Sequence, residues 1–242
     1  MVENKLCLLW QNVLTRQWYH IGNLTLTSSN TYVFTYEHSK IRRGLSDALQ
    51  DGYLLHPTFK DRYKIYKSEQ LFAAFSRRLP NKNRKDYNNL MNLLNLSKDA
   101  TEFEVLSVSG GKLVADNYEF VKPILFKDNK FAIEFFVRGW RHHVGDEDIN
   151  IQGSKISLER EPLNPQDTQA VAVYSDSKKI GYVPAFYSDF IYEHLNQNDA
   201  YVIEQYEYND SEVSSYKLNL KVSGDVDSNA LDKYQKNLLT AL

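Results

Sequence analysis

Cysteine is almost missing from this chain of 242 residues. Cys7 stands alone, so no disulfide can close within the chain and zinc sites built on several thiolates are excluded. Prolines and glycines are few, and neither an internal repeat nor a low-complexity segment is present. No apolar run approaches the ~18 residues needed to cross a bilayer. The start, Met1-Val2-Glu3-Asn4-Lys5, lacks the basic region and long apolar core of a signal peptide. A cytoplasmic protein is therefore expected.

Catalytic signatures are missing too. There is no nucleophile elbow, no zincin motif and no kinase catalytic loop. The "SGGK" at 109–112 lacks the glycine pattern and the hydroxyl residue of a phosphate loop, and reads as a turn. His142 and His143 precede Asp146, Glu147 and Asp148, but adjacent histidines on a strand would face opposite sides and a carboxylate run is normally solvated. A binding protein without metal or cofactor is expected, rather than an enzyme.

What is present points to a folded, β-rich molecule. Hydrophobic residues make up 42% and charged residues 25%, which suits a globular chain with a real core. The length allows one large domain or two modest ones. Seventeen tyrosines are a supply typical of β-rich folds and of stacking surfaces. Charge is divided unevenly: residues 1–125 hold 17 Lys and Arg against 12 Asp and Glu, or +5, whereas residues 126–242 hold 12 against 19, or −7. Opposite signs suggest two modules with different partners.

Along the chain, residues 5–10, 21–26 and 31–36 read as strands. Leu71, Phe72 and Phe75 repeat at helical spacing, and Pro80 ends that helix. A second helix is expected over 88–96, an extended segment over 103–107, and a linker thereafter through Pro123. The second half opens with an alternating strand over 131–137, followed by three strands in "LEREPLNPQDTQAVAVYSDSKKIGYVP" at 158–184. A short helix over 188–195, strands at 201–208 and 216–222, and a final helix capped by Ser228 complete the reading.

The first bend of the quoted stretch is unusual. A plain hairpin needs two turn residues, yet this one carries Glu161-Pro162-Leu163-Asn164-Pro165-Gln166-Asp167. Two prolines stiffen it and fix the Asn164 and Asp167 side chains in space. Asp167 can serve a ligand as hydrogen-bond acceptor, or merely hold its own loop. A second cluster, Arg77, Arg78, Lys82, Arg84 and Lys85, places five cations at a helix end, either as a solvated terminus or as a site for an anionic partner.

Three stretches together resemble the HIRAN domain family: Gly139-Trp140-Arg141-His142-His143, Leu158 through Val173, and Ile180-Gly181-Tyr182-Val183-Pro184. The resemblance implies a small OB/SH3-like β-barrel that holds the 3′ end of single-stranded DNA. It implies nucleic-acid contacts from Arg141, His142, His143, Asn164, Asp167, Tyr182 and Tyr216, with Asp167 accepting a hydrogen bond from the terminal hydroxyl. His142 and His143 replace the family's paired aromatics, Gln166 its loop tyrosine, and Ala185 stands where a basic residue often sits.

The first half more faintly resembles the small N-terminal subdomain of HipA-type toxin-antitoxin proteins, through "LLWQN", "IGNLTL", "YVFTYE", "SEQLFAAFSRRLP" and "DATEFEVLSVSGG". The combined expectation is an α+β protein. It has a HipA-like module over 1–122, a linker over 123–130, a HIRAN-like barrel over 131–224 and a C-terminal helix over 225–242. Its expected role is that of a non-catalytic antitoxin, which binds a separately encoded HipA-type Ser/Thr kinase through Arg77, Arg78, Lys82, Arg84 and Lys85 while the HIRAN module binds nucleic acid. The alternative is a stand-alone sensor of single-stranded DNA 3′ ends in repair or phage defence.

Overall fold

The computed structural model describes residues 4–40, 42–145, 149, 151–196, 201–209, 213–226 and 240–241. The chain divides into two compact units, passing from one to the other between Pro123 and Ile124.

In the first unit, strands β1 (Asn4–Gln11), β2 (Trp18–Leu26) and β3 (Tyr32–Tyr36) form an antiparallel meander. Helix α1 (Leu45–Gln50), strand β4 (Tyr66–Ser68), helices α2 (Ala73–Ser76), α3 (Tyr87–Leu93) and α4 (Glu102–Ser109), and strand β5 (Tyr118–Val121) follow. The sheet order is β4-β3-β2-β1-β5. Alternation along β1 and β3 turns Leu6, Leu8, Phe34 and Tyr36 into one core, where Phe34, Phe59, Phe75 and Phe120 meet ring to ring.

Two expectations fail here. Residues 103–107, read as extended, lie within α4. The reason is a capping box: Thr101 Oγ1 accepts the Glu104 N–H at 3.2 Å while the Glu104 carboxylate accepts the Thr101 N–H at 2.7 Å. Residues beyond Gly111, read as linker, include β5, which pairs with β1.

The second unit begins at once, with β6 (Ile124–Lys127) turning through Asp128-Asn129 into β7 (Lys130–Phe136). The stretch 123–130, expected as a linker, is therefore mostly hairpin. Helix α5 (Trp140–His143), strands β8 (Ile156–Glu161), β9 (Ala170–Ser175) and β10 (Lys178–Tyr182), helix α6 (Ala185–Asn196), strand β11 (Tyr201–Tyr208), a 3-10 turn (Ser214–Tyr216), strand β12 (Leu218–Asp225) and strand β13 (Thr240–Ala241) complete the order. Phe131, Ile133 and Phe135 on β7 and Leu218, Leu220 and Val222 on β12 are buried in alternation, and α6 lays Phe190 against Phe131 at 4.9 Å.

Mixed α+β architecture with antiparallel sheets is thus observed, but among the described residues no barrel closes. One sheet runs β10-β9-β8 and another β11-β12-β7-β6-β13. Among the described residues they share one isolated backbone bridge, in which Arg138 and Tyr182 exchange N–H···O bonds of 2.8 and 2.9 Å. Continuation fails because Gly139, at φ +79°, turns the chain out of the strand and into α5. The expected C-terminal helix over 225–242 lies largely outside the described residues; Asp225 ends β12, and Thr240–Ala241 is extended.

Candidate nucleic-acid interface

The long bend between β8 and β9 is held by an Asx turn. Asn164 Oδ1 accepts the N–H groups of Gln166 at 2.9 Å and Asp167 at 3.2 Å, as expected of an Asn-Pro step. Asp167 then pins the way out: its Oδ1 accepts the Gln169 N–H at 2.9 Å and its carbonyl the Ala170 N–H at 3.0 Å. Its Oδ2 takes no hydrogen bond from the described residues. Asp167 thus fixes the loop with one oxygen while the other is available to an outside donor.

Asn164 also reaches inward. Its Nδ2 donates to Glu161 Oε2 and to the Tyr182 hydroxyl, both at 3.0 Å. Tyr182 donates to Glu161 Oε2 at 2.9 Å, and Lys179 Nζ donates to Glu161 Oε1 at 2.7 Å and to the Tyr182 hydroxyl at 2.9 Å. Glu161 lies on β8, with Lys179 and Tyr182 on β10, so the network spans the middle strand β9. Register explains how: Glu161 pairs with Ala170 and Tyr182 with Ala172, so alanines occupy that face of β9 and leave room for longer side chains to meet across it.

The network sets its own charges. Burial pushes the Glu161 carboxyl up, but hydrogen bonds from Lys179, Asn164 and Tyr182 outweigh it and hold the group below the usual carboxylate range. Burial likewise opposes the charge on Lys179, and bonding to Glu161 and Tyr182 raises its pKa nonetheless. Both groups are ionised at neutral pH.

Helix α5 contacts both β10 and the 3-10 turn, so it joins the remaining expected residues to the network. His143 packs edge-on against Tyr182 with ring centroids 5.1 Å apart. Burial, then the nearby Lys179 charge, lowers its pKa, so the ring is neutral at pH 7. Arg141 and His142 are exposed. Tyr216 ends the 3-10 turn, half-buried, with its ring 5.1 Å from Phe136. The two histidines stand on a short helix rather than a strand, because Gly139 starts a turn there. Asp146, Glu147 and Asp148 lie outside the described residues.

Thus Asn164, Asp167, Tyr182 and His143 are linked through direct contacts, while Arg141 and His142 stand beside them on α5 and Tyr216 lies in the 3-10 turn that α5 contacts. Glu161 and Lys179 belong to the same cluster and were missed from the sequence. The small residues of "QAVAVY" between a carboxylate strand and a lysine strand were the available signal.

The cationic cluster of the first unit fares differently. Arg78 is buried, and its guanidinium pairs with Asp116, donates to the Gly111 carbonyl at 2.9 Å and lies over the Tyr118 ring. It is a structural staple and is corrected out of the partner-binding set. Arg84 grips the Asp86 carboxylate with two hydrogen bonds on the surface. Arg77, Lys82 and Lys85 are exposed.

Among solved structures, the chain is similar to the crystal structure of the HIRAN domain of human HLTF, at 16% identity and a TM-score of 0.33, over 47% of this chain and 98% of that one. No curated protein matches the sequence. The family match begins at residue 130, so the HipA-like reading of the first half gains no support from it, nor do the kinase partner and antitoxin role drawn from that reading. No helix among the described residues is long and apolar enough to cross a membrane. The family model of the HIRAN domain matches residues 130–227, and the second half of the chain carries that domain.

Proposed function

We propose that the second unit binds the 3′ end of single-stranded DNA, and that the protein acts by binding rather than by catalysis. The observation that carries this reading is the division of labour at Asp167. A carboxylate fixed by a rigid, doubly prolyl bend presents one uncommitted oxygen, which suits acceptance from a sugar hydroxyl. Arg141 and His142 supply donors for the terminal phosphate, and the His143–Tyr182 pair offers an aromatic wall.

A half-chain with a net charge of −7 repels a phosphate backbone, so this unit recognises an end rather than a length of strand. Fluorescence anisotropy with matched strands provides the test. A 3′-hydroxyl strand should bind about tenfold more tightly than one ending in a 3′-deoxy sugar, the difference expected of one hydrogen bond to a charged acceptor. Equal affinities would remove the end-binding reading.

A further inference from the structure

The loop that enters β4 in the first unit is built for exposure. Lys60, Arg62, Lys64 and Lys67 are all exposed, and none forms an ion pair with a described residue. Asp61, the carboxylate among them, faces its own loop, where Oδ1 accepts the Tyr63 N–H at 2.9 Å. The half-buried Tyr66 locks that loop, its hydroxyl accepting the Asp61 N–H at 2.8 Å and donating to the Asp61 carbonyl at 3.0 Å.

Tyr63 is 71% exposed, yet it is held in place. Its ring lies nearly parallel to that of His38, with centroids 5.1 Å apart and planes 13° apart. His38 Nε2 sits 2.8 Å from the Arg62 carbonyl and donates to it in the tautomer protonated there. The Arg62 guanidinium lies over the Tyr63 ring at 4.8 Å. Two stacked rings with a guanidinium over one of them therefore stand at the surface among cations, outside the aromatic core of the unit.

Bases stack on aromatic and guanidinium planes, and phosphates take Lys and Arg. An acidic peptide would use the cations and leave the planes idle. We propose that this loop, with His38, binds single-stranded nucleic acid along its length, without need of a strand end. The site goes beyond the end-binding reading of the second unit. It lies in the half of the chain whose net charge is +5, where phosphate is attracted.

The test uses the full chain and a thymidine strand ending in a 3′-deoxy sugar, which the end pocket should not favour. Replacing Lys60, Arg62, Lys64 and Lys67 together by Gln should lower affinity about tenfold or more and flatten the salt dependence by roughly 2 to 3 in log-log slope, at about 0.7 per phosphate contact. Tyr63→Ala should lower affinity about tenfold, and Tyr63→Phe should retain it. A strand carrying 5-iododeoxyuridine should photo-crosslink to the peptide containing Tyr63. The positions are exposed, and unchanged melting of the variants checks that they remain folded.

Wild-type protein that fails to bind the 3′-deoxy strand would overturn the proposal. So would a salt slope unchanged by the fourfold substitution, or crosslinks confined to residues 130–227. Loss of 3′-hydroxyl preference in Asp167→Asn concerns the second unit alone and leaves this surface untouched.

Discussion

Asp167 commits one carboxylate oxygen to its loop and, in the proposed function, offers the other to a strand end, so its substitutions separate the two tasks. Asp167→Ala loses the acceptor for Gln169 N–H and should cost about 1 to 2 kcal/mol of stability as well as the preference for a 3′ hydroxyl. Asp167→Asn keeps a carbonyl for Gln169, so stability should hold within about 0.5 kcal/mol while end preference is lost. Denaturant unfolding and anisotropy on the same samples give both readings. An Asp167→Asn protein that keeps its end preference would return the residue to a purely structural role.

His20 offers a second residue-scale prediction. Its ring is fully buried, with Nε2 3.0 Å from Asn23 Oδ1, and burial lowers its pKa from 6.5 to about 4. The unfolded chain takes up the proton first, so the stability lent by the neutral ring is complete above pH 6.5 and drains away as pH falls toward 4. The effect is on the order of 3 kcal/mol. Glu37 is drawn to about 2, since the charges and bonds around it outweigh its burial; its own contribution is lost only as pH falls below about 4.5. A urea midpoint that stays level between about pH 7 and pH 5 would show that His20 is not buried neutral.

At the scale of elements, most strands and the helices α2, α3 and α6 were legible, whereas α1, α4 and α5 were not. Residues 131–137 alternate cleanly, residues 5–10 and 31–36 are rich in apolar and aromatic side chains, and the observed strands cover all three almost to the residue. Residues 103–107 carry Phe and Val and read as extended, yet the Thr101–Glu104 box two residues earlier sets a helix. Local capping won over β-propensity. Helix α5 was illegible because one left-handed glycine, not periodicity, creates it. At the site, Asn164 and Asp167 could be read from a family-like motif and turn chemistry. Glu161 and Lys179 could not, because only the register across β9 brings them together.

Gly181 carries the element-scale prediction. A Cβ there would press into Arg138 O and Val137 Cγ1, beside the Arg138–Tyr182 bridge between the two sheets of the second unit. Gly181→Ala should therefore destabilise that unit by about 1 to 3 kcal/mol, seen as a lower denaturant midpoint. Because Tyr182 is the bridging residue, end binding should fall with it. A midpoint unchanged by the substitution would mean that the strands can part there at no cost.

For the whole molecule, a net charge of −2 conceals two halves of opposite sign. In the roles proposed above, phosphate attraction belongs to the first and hydroxyl recognition to the second, and the two would respond differently to salt. With Lys60, Arg62, Lys64 and Lys67 replaced by Gln, affinity for 3′-hydroxyl and 3′-deoxy strands should fall together as salt rises, while their ratio stays constant, since one hydrogen bond releases no counterions. A ratio that collapses toward unity in high salt would place the discrimination in charge rather than in the hydroxyl contact.

The lone cysteine has a practical consequence for such measurements. Cys7 is fully buried, and burial pushes its thiol up to about 12, so hardly any thiolate exists at neutral pH to meet a reagent. The native fold thereby leaves the surface free of competing thiols among the described residues. A cysteine introduced at the exposed tip residue Leu163 should take a maleimide dye alone and in stoichiometric amount. Cys7 itself would react only when β1 opens, so its slow labelling becomes a clock for unfolding of the first unit, read in the same tube as the dye that reports strand binding at the second.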